Sequence, residues 1–85
     1  MYRIVFAKPA EKALKKLPQP VARLIREKLL LLAEDPYSPQ NNVTKMQNRE
    51  GYRLRVGDWR VIYDLIDDEL VVLVLKVGPR GSIYR

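Results

Sequence analysis

The stretch Gly51 to Ile66, GYRLRVGDWRVIYDLI, constrains the fold more than any other part of the chain. Two alternating runs rich in aromatic and β-branched residues flank Gly57-Asp58. A glycine followed by another residue is the pattern of a two-residue type II′ turn, because only glycine takes the positive φ of the first central position cheaply. A hairpin closed this way has no freedom of register. Val56 must face Trp59, Arg55 face Arg60, Leu54 face Val61, Arg53 face Ile62 and Tyr52 face Tyr63. The two-residue period of a strand then sorts Tyr52, Leu54, Val56, Trp59, Val61 and Tyr63 onto an apolar face and Arg53, Arg55 and Arg60 onto the other.

Like charges directly opposite each other weaken a sheet. Two readings of the arginine face are open at this stage. The arginines solvate the outer side of a half-exposed antiparallel sheet, or they hold an anion. Guanidinium forks match phosphate oxygens in pairs, so a phosphodiester is the natural ligand under the second reading.

The distribution of charge bears on the choice. The net charge is +6 with a pI near 9.8, which favours an acidic partner. Residues 1–49 hold ten Lys and Arg against four Asp and Glu, whereas residues 50–85 hold six of each. In that second part Asp64, Asp67, Asp68 and Glu69 gather at the end of the hairpin away from its turn, leaving the arginines nearer the other end.

The remaining segments supply the rest of an α+β domain covering residues 1–85. Tyr2–Phe6 reads as a short strand of the same sheet, with Tyr2, Ile4 and Phe6 on one face. Pro9 suits the first turn of a helix over about 8–17, with an apolar stripe of Ala10, Ala13, Leu14 and Leu17 and lysines 8, 12, 15 and 16 around it. Pro18 ends it, and Pro20 starts a second helix over about 19–34 with Val21, Leu24, Ile25, Leu29 and Leu32 at helical spacing. The pair forms an αα-hairpin that covers one face of the sheet. Leu30 and Leu31 widen the stripe, which reads as a broad core-facing helix or, more sharply, as a docking surface for another chain. Residues 34–42 form a loop, and residues 43–50 a polar connection anchored by Met46, with Lys45 a candidate ligand just before the hairpin. After it, Asp67-Asp68-Glu69 is a tight turn into the apolar strand 70–77. The sheet is therefore an N-terminal strand plus a three-stranded antiparallel meander. Two turns bring Arg55, Arg60 and Arg80 to one end of it.

The chain has no cysteine and no histidine. That removes disulfides, thiolate sites, the usual zinc ligand and the usual general base. Clustered carboxylates for a metal nuclease and a glycine-rich phosphate loop are also missing from the pattern. Neither a signal sequence nor a membrane-length apolar run is present, so the expected location is the cytoplasm. The chemistry left to such a site is metal-independent work on RNA, in which the substrate's own 2′-hydroxyl attacks phosphorus and cationic donors stabilise the phosphorane.

The pattern GYRLRVGDWRVIY, followed by the apolar strand, Lys76-Val77-Gly78-Pro79-Arg80 and a tyrosine near the end, resembles the RelE/ParE toxin superfamily. Members of the RelE branch cleave messenger RNA in the ribosomal A site without metal or cofactor, leaving 2′,3′-cyclic phosphates, and are held inactive by an antitoxin. The partners implied are therefore an acidic or amphipathic antitoxin, the ribosome and mRNA. ParE-branch members instead poison DNA gyrase. The resemblance makes Arg53 and Arg55 the basic pair that is often lysine in the RelE branch. It makes Arg60 the phosphate-contacting arginine, Arg80 the arginine after the last strand, and Tyr84 the tail tyrosine that stacks on or deprotonates the substrate. Lys45 is placed with them as an RNA contact. Two departures stand out. Arginines at 53 and 55 are poor proton acceptors, which leaves the base role to Tyr84, to ribosomal RNA or to water. The absence of histidine separates the chain from the YoeB-like and HigB-like branches.

Overall fold

A computed structural model describes residues 1–41, 43–46 and 51–81. Among these the order is β1 (Arg3–Phe6), α1 (Lys8–Lys16), α2 (Gln19–Glu34), β2 (Val43–Lys45), β3 (Tyr52–Val56), β4 (Trp59–Ile66) and β5 (Val71–Pro79). Short 3-10 turns cover Pro39–Asn41 and Asp67–Glu69. The strands form one sheet in the order β1-β5-β4-β3-β2, with β1 parallel to β5 and the other pairs antiparallel.

Prolines mark both helix starts as expected: Pro9 lies in the first turn of α1 and Pro20 in that of α2. Leu17 is extended at the end of α1 with ψ 151°, because a residue before proline is pushed out of the helical region. Both helices pack on one face of the sheet. Ala10, Leu14, Ala22, Ile25, Leu29, Leu32 and Ala33 meet Leu54, Val56, Val61, Tyr63, Val72, Val74 and Val77 in a single core.

Three details differ from the sequence reading. Residues 43–45 form a fifth strand at the sheet edge rather than part of a loop connection, with Val43 opposite Leu54, Thr44 opposite Arg53 and Lys45 opposite Tyr52. A polar three-residue strand carries too little periodicity to be seen in isolation. Leu24 is 42% exposed, and Leu30 and Leu31 are 51% and 56% exposed, so they flank the core stripe instead of widening it. Alanines 22 and 33 take the close contacts there. Leu70 closes the 3-10 turn with φ 54° rather than starting β5, and its N–H donates to the Asp67 carbonyl at 3.2 Å.

The register of β4 on β5 jumps between Ile62–Lys76 and Tyr63–Val74, leaving Leu75 unpaired in a bulge. The bulge restores core-facing positions on both sides of it: Val77 below, Val74 and Val72 above. No helix among the described residues is long and apolar enough to cross a membrane.

Candidate nucleic-acid interface

The hairpin adopts the register that its turn dictates. Val56 faces Trp59, Arg55 faces Arg60, Leu54 faces Val61, Arg53 faces Ile62 and Tyr52 faces Tyr63. Gly57 has φ 58° while Asp58 does not have positive φ, as a type II′ turn requires. Leu54, Val56, Val61 and Tyr63 are at most 2% exposed on the helix side. Tyr52 and Tyr63 stack across the strands with centroids 5.4 Å apart and planes 19° apart.

Burial of one face commits the other. Arg53, Arg55 and Arg60 converge on the far side of the sheet and, with Pro39, Val43 and Thr44, line an open cleft of about 420 Å³. Among the described residues, no acidic residue lines it. Arg60 is held in place by the turn it follows, its Nη1 donating to the carbonyls of Gly57 and Trp59, each at 2.9 Å. The Nε and Nη2 hydrogens take no part in these two bonds. In β5 the residue directly opposite Arg60 is Gly78, which carries no side chain. The arrangement combines fixed positive charge, a concave polar floor and a pre-positioned fork, which is what a phosphodiester needs.

The other expected residues divide into three groups. Arg80 is exposed at the same end of the sheet, where its backbone N–H donates to the Asp58 carbonyl at 2.9 Å, but its side chain does not line the cleft. Lys45 stands opposite Tyr52 and hence, by strand alternation, on the face turned away from the arginines. Tyr84 lies outside the described residues. Thr44, which the sequence reading passed over, is the β2 residue that points with Arg53. Its only sequence signal is the β-branched pair Val43-Thr44, too short to announce a strand.

The acids gather at the opposite end of β4, as the charge pattern anticipated. Asp67 accepts hydrogen bonds from the hydroxyls of Tyr2 at 2.7 Å and Tyr37 at 2.6 Å. These two bonds, Tyr37 first, hold the Asp67 carboxyl below its ordinary range. The same bonds raise both phenol pKa values. Burial pushes the Tyr63 phenol upward as well. The Asp67 cluster ties together the start of β1, the loop after α2 and the β4–β5 turn, and its polar groups satisfy one another.

Residues 4–84 match the family profile described as the ParE toxin of the type II toxin-antitoxin system, parDE. The chain is 32% identical over 79 residues to the mRNA interferase toxin RelE of Escherichia coli K12, covering 93% of this chain and 83% of that protein. Among solved structures it superposes on a chain of the archaeal RelE-RelB complex from Pyrococcus horikoshii OT3 with TM-score 0.81 and 34% identity, covering 95% of this chain and 97% of that one. A chain of the intact E. coli RelBE toxin-antitoxin complex also gives TM-score 0.81, at 27% identity, with 96% and 100% covered.

Proposed function

The chain belongs to the RelE/ParE superfamily of type II toxin-antitoxin toxins, and from that membership we propose that it is a toxin that cleaves mRNA on the ribosome and is silenced by a cognate antitoxin. The observation that carries the reading is the convergence of Arg53, Arg55 and Arg60 on one cleft whose described lining residues include no carboxylate. A gyrase-binding toxin has no chemical need for such a cleft, and the curated relative bears the name of an mRNA interferase.

In the proposed reaction the 2′-oxygen of a substrate ribose bonds to the adjacent phosphorus while the bond from phosphorus to the 5′-oxygen breaks. The products are a 2′,3′-cyclic phosphate and a 5′-hydroxyl. The phosphorane carries extra charge on its non-bridging oxygens. Arg60, fixed by Gly57 and Trp59, donates to them without reorganising, and Arg55 opposite supplies a second fork. Arg53 neutralises the backbone alongside, and Arg80 closes the end of the sheet at which the leaving strand departs. Arginine stays protonated at neutral pH, so the proton from the 2′-hydroxyl passes to the phenolate form of Tyr84, which also stacks on a base, or to ribosomal RNA or water, and the departing 5′-oxygen takes a proton from water.

Lysines 8, 12, 15 and 16 on α1 are exposed and meet ribosomal RNA. The antitoxin is acidic or amphipathic and covers the exposed leucines of α2, where Leu24 and Leu31 lie seven residues apart on one helix face. The site of action is the cytoplasm, where translating ribosomes are. The test is to induce the chain in cells and map RNA 5′ ends against reading frames. Cuts confined to translated messages, lost in Arg60→Ala and in Arg80→Ala with Tyr84→Ala, are the expected result. Growth arrest by those variants with accumulating DNA breaks overturns the reading.

A further inference from the structure

The cleft is chemically divided. Its charged groups stand on β3 and β4, whereas its β2 side, Pro39, Val43 and Thr44, is neutral. Thr44 is in register with Arg53 on the arginine face, two strand spacings across and two residues along from Arg60, or roughly 12 Å. Both Pro39 and Thr44 are exposed.

The neutral side is also built rather than loose. The segment carrying Pro39 is held by Ser38 N–H to the Asp35 carbonyl at 3.2 Å and Asn41 N–H to the Ser38 carbonyl at 3.2 Å. The Asn41 side-chain amide also donates to the Asp35 carbonyl, at 2.8 Å. Beyond β2, the N–H of Met46 donates to the Gly51 carbonyl at 3.1 Å and fixes the strand on β3. A rigid ring wall and a hydroxyl that both donates and accepts thus sit beside a cationic floor.

A nucleotide has the same division, an anionic phosphate joined to a neutral, flat, hydrogen-bonding base. Resting on the nuclease reading above, we propose that Pro39 and Thr44 form a base-recognition subsite. They receive the nucleobase next to the scissile phosphate and bias which sequences are cut. The base packs on the Pro39 ring and exchanges one hydrogen bond with the Thr44 hydroxyl, while Arg53 and Arg55 hold the backbone that leads from it to Arg60.

The test is cleavage-site mapping in cells with the wild-type chain and the variants Thr44→Val, Thr44→Ser, Pro39→Ala and Arg60→Ala, each checked for folding by thermal melting. Thr44→Val keeps the shape and β-propensity of the side chain and removes only the hydroxyl. Discrimination at one nucleotide flanking the cut falls about threefold to tenfold in Thr44→Val, the worth of one hydrogen bond. It falls similarly in Pro39→Ala and is retained in Thr44→Ser. Folded Thr44→Val and Pro39→Ala with an unchanged base preference overturn the subsite. A loss that is uniform over all sequences also overturns it, since that pattern belongs to a backbone contact. If Arg60→Ala cuts as well as the wild type, the nuclease reading itself fails, a result distinct from either of these.

Discussion

Replacing Arg60 by lysine separates geometry from charge. Lysine keeps the positive charge at the site but has no planar fork, and one nitrogen must serve both the anchoring carbonyls and the substrate. In the native site Arg60 Nη1 spends its bonds on Gly57 and Trp59, and the rest of the guanidinium is held at a fixed angle to the cleft. If preorganisation is what the site contributes, Arg60→Lys loses most of the stabilisation of the phosphorane. Removing one preorganised donor costs about 10²–10³ in rate, or about 2.7–4 kcal/mol. Arg60→Ala should show the whole of that loss, and Arg60→Lys at least tenfold. The assay is single-turnover cleavage of ribosome-bound mRNA, with thermal melting alongside. Arg60→Ala should lose about 1–2 kcal/mol of stability, because relief of repulsion against Arg55 offsets only part of two lost hydrogen bonds at about 1 kcal/mol each, so rates are compared where the variant is fully folded. A lysine variant as fast as the wild type refutes the geometric argument. An alanine variant within threefold of the wild type refutes the role of the cleft in the chemistry.

Other perturbations test the framework around the site. Arg55→Gln removes one of two directly opposed cations, so the free protein should gain about 0.2–1 kcal/mol, seen as a rise of a few degrees in Tm, while cleavage falls. For Asp67 the folded pKa is depressed, so its contribution is fully present above about pH 3.8 and fades as pH drops below it. Tyr2 and Tyr37 are shifted upward, so theirs holds below about pH 10 and fades above it. Melting curves of Asp67→Asn against the wild type should therefore converge at both acidic and alkaline ends and differ in between. A constant difference from pH 2.5 to 7 would show that the tyrosine bonds are not what Asp67 supplies. Leu70 holds a left-handed conformation with half its surface exposed. Leu70→Asn, which tolerates φ near 54°, should raise stability by about 0.5–1 kcal/mol, and a lower Tm would mean that its contacts outweigh the strain.

The parts of the fold that were legible in the sequence are those set by local, discrete chemistry. Gly57 fixes a turn, the turn fixes a register, and the register fixes which three arginines share a face. Pro9, Pro18 and Pro20 delimit two helices for equally local reasons. What escaped depends on partners distant in sequence. Val43–Lys45 is a strand because β3 offers it an edge, and with it came Thr44 into the cleft and Lys45 onto the opposite face. Leu24, Leu30 and Leu31 share the helical spacing of core residues, yet one sheet face has room only for the stripe through Ile25, Leu29 and Leu32 with Ala22 and Ala33 beside it. Hydrophobicity could rank those leucines as candidates for burial; only the width of the surface below them could decide.

The arginine face persists against its own repulsion because the alternative is far worse. Sliding β3 by one residue against β4 would turn Arg53 and Arg55 toward the helices and bring Leu54 and Val56 out to solvent. Each of these two side chains, at most 2% exposed, contributes about 1.5–3 kcal/mol by burial, and two buried guanidinium groups would add several more in lost hydration. The opposed cations cost about 0.2–1 kcal/mol. The apolar face therefore holds the charged face in place with an excess of several kcal/mol. Weakening it should release the arginines before it unfolds the domain. In Val56→Ala, next to the turn, the expected signature is a loss of cleavage larger than the fraction of unfolded protein explains. If activity simply tracks the folded fraction measured by circular dichroism, the core and the cleft are coupled through global stability alone.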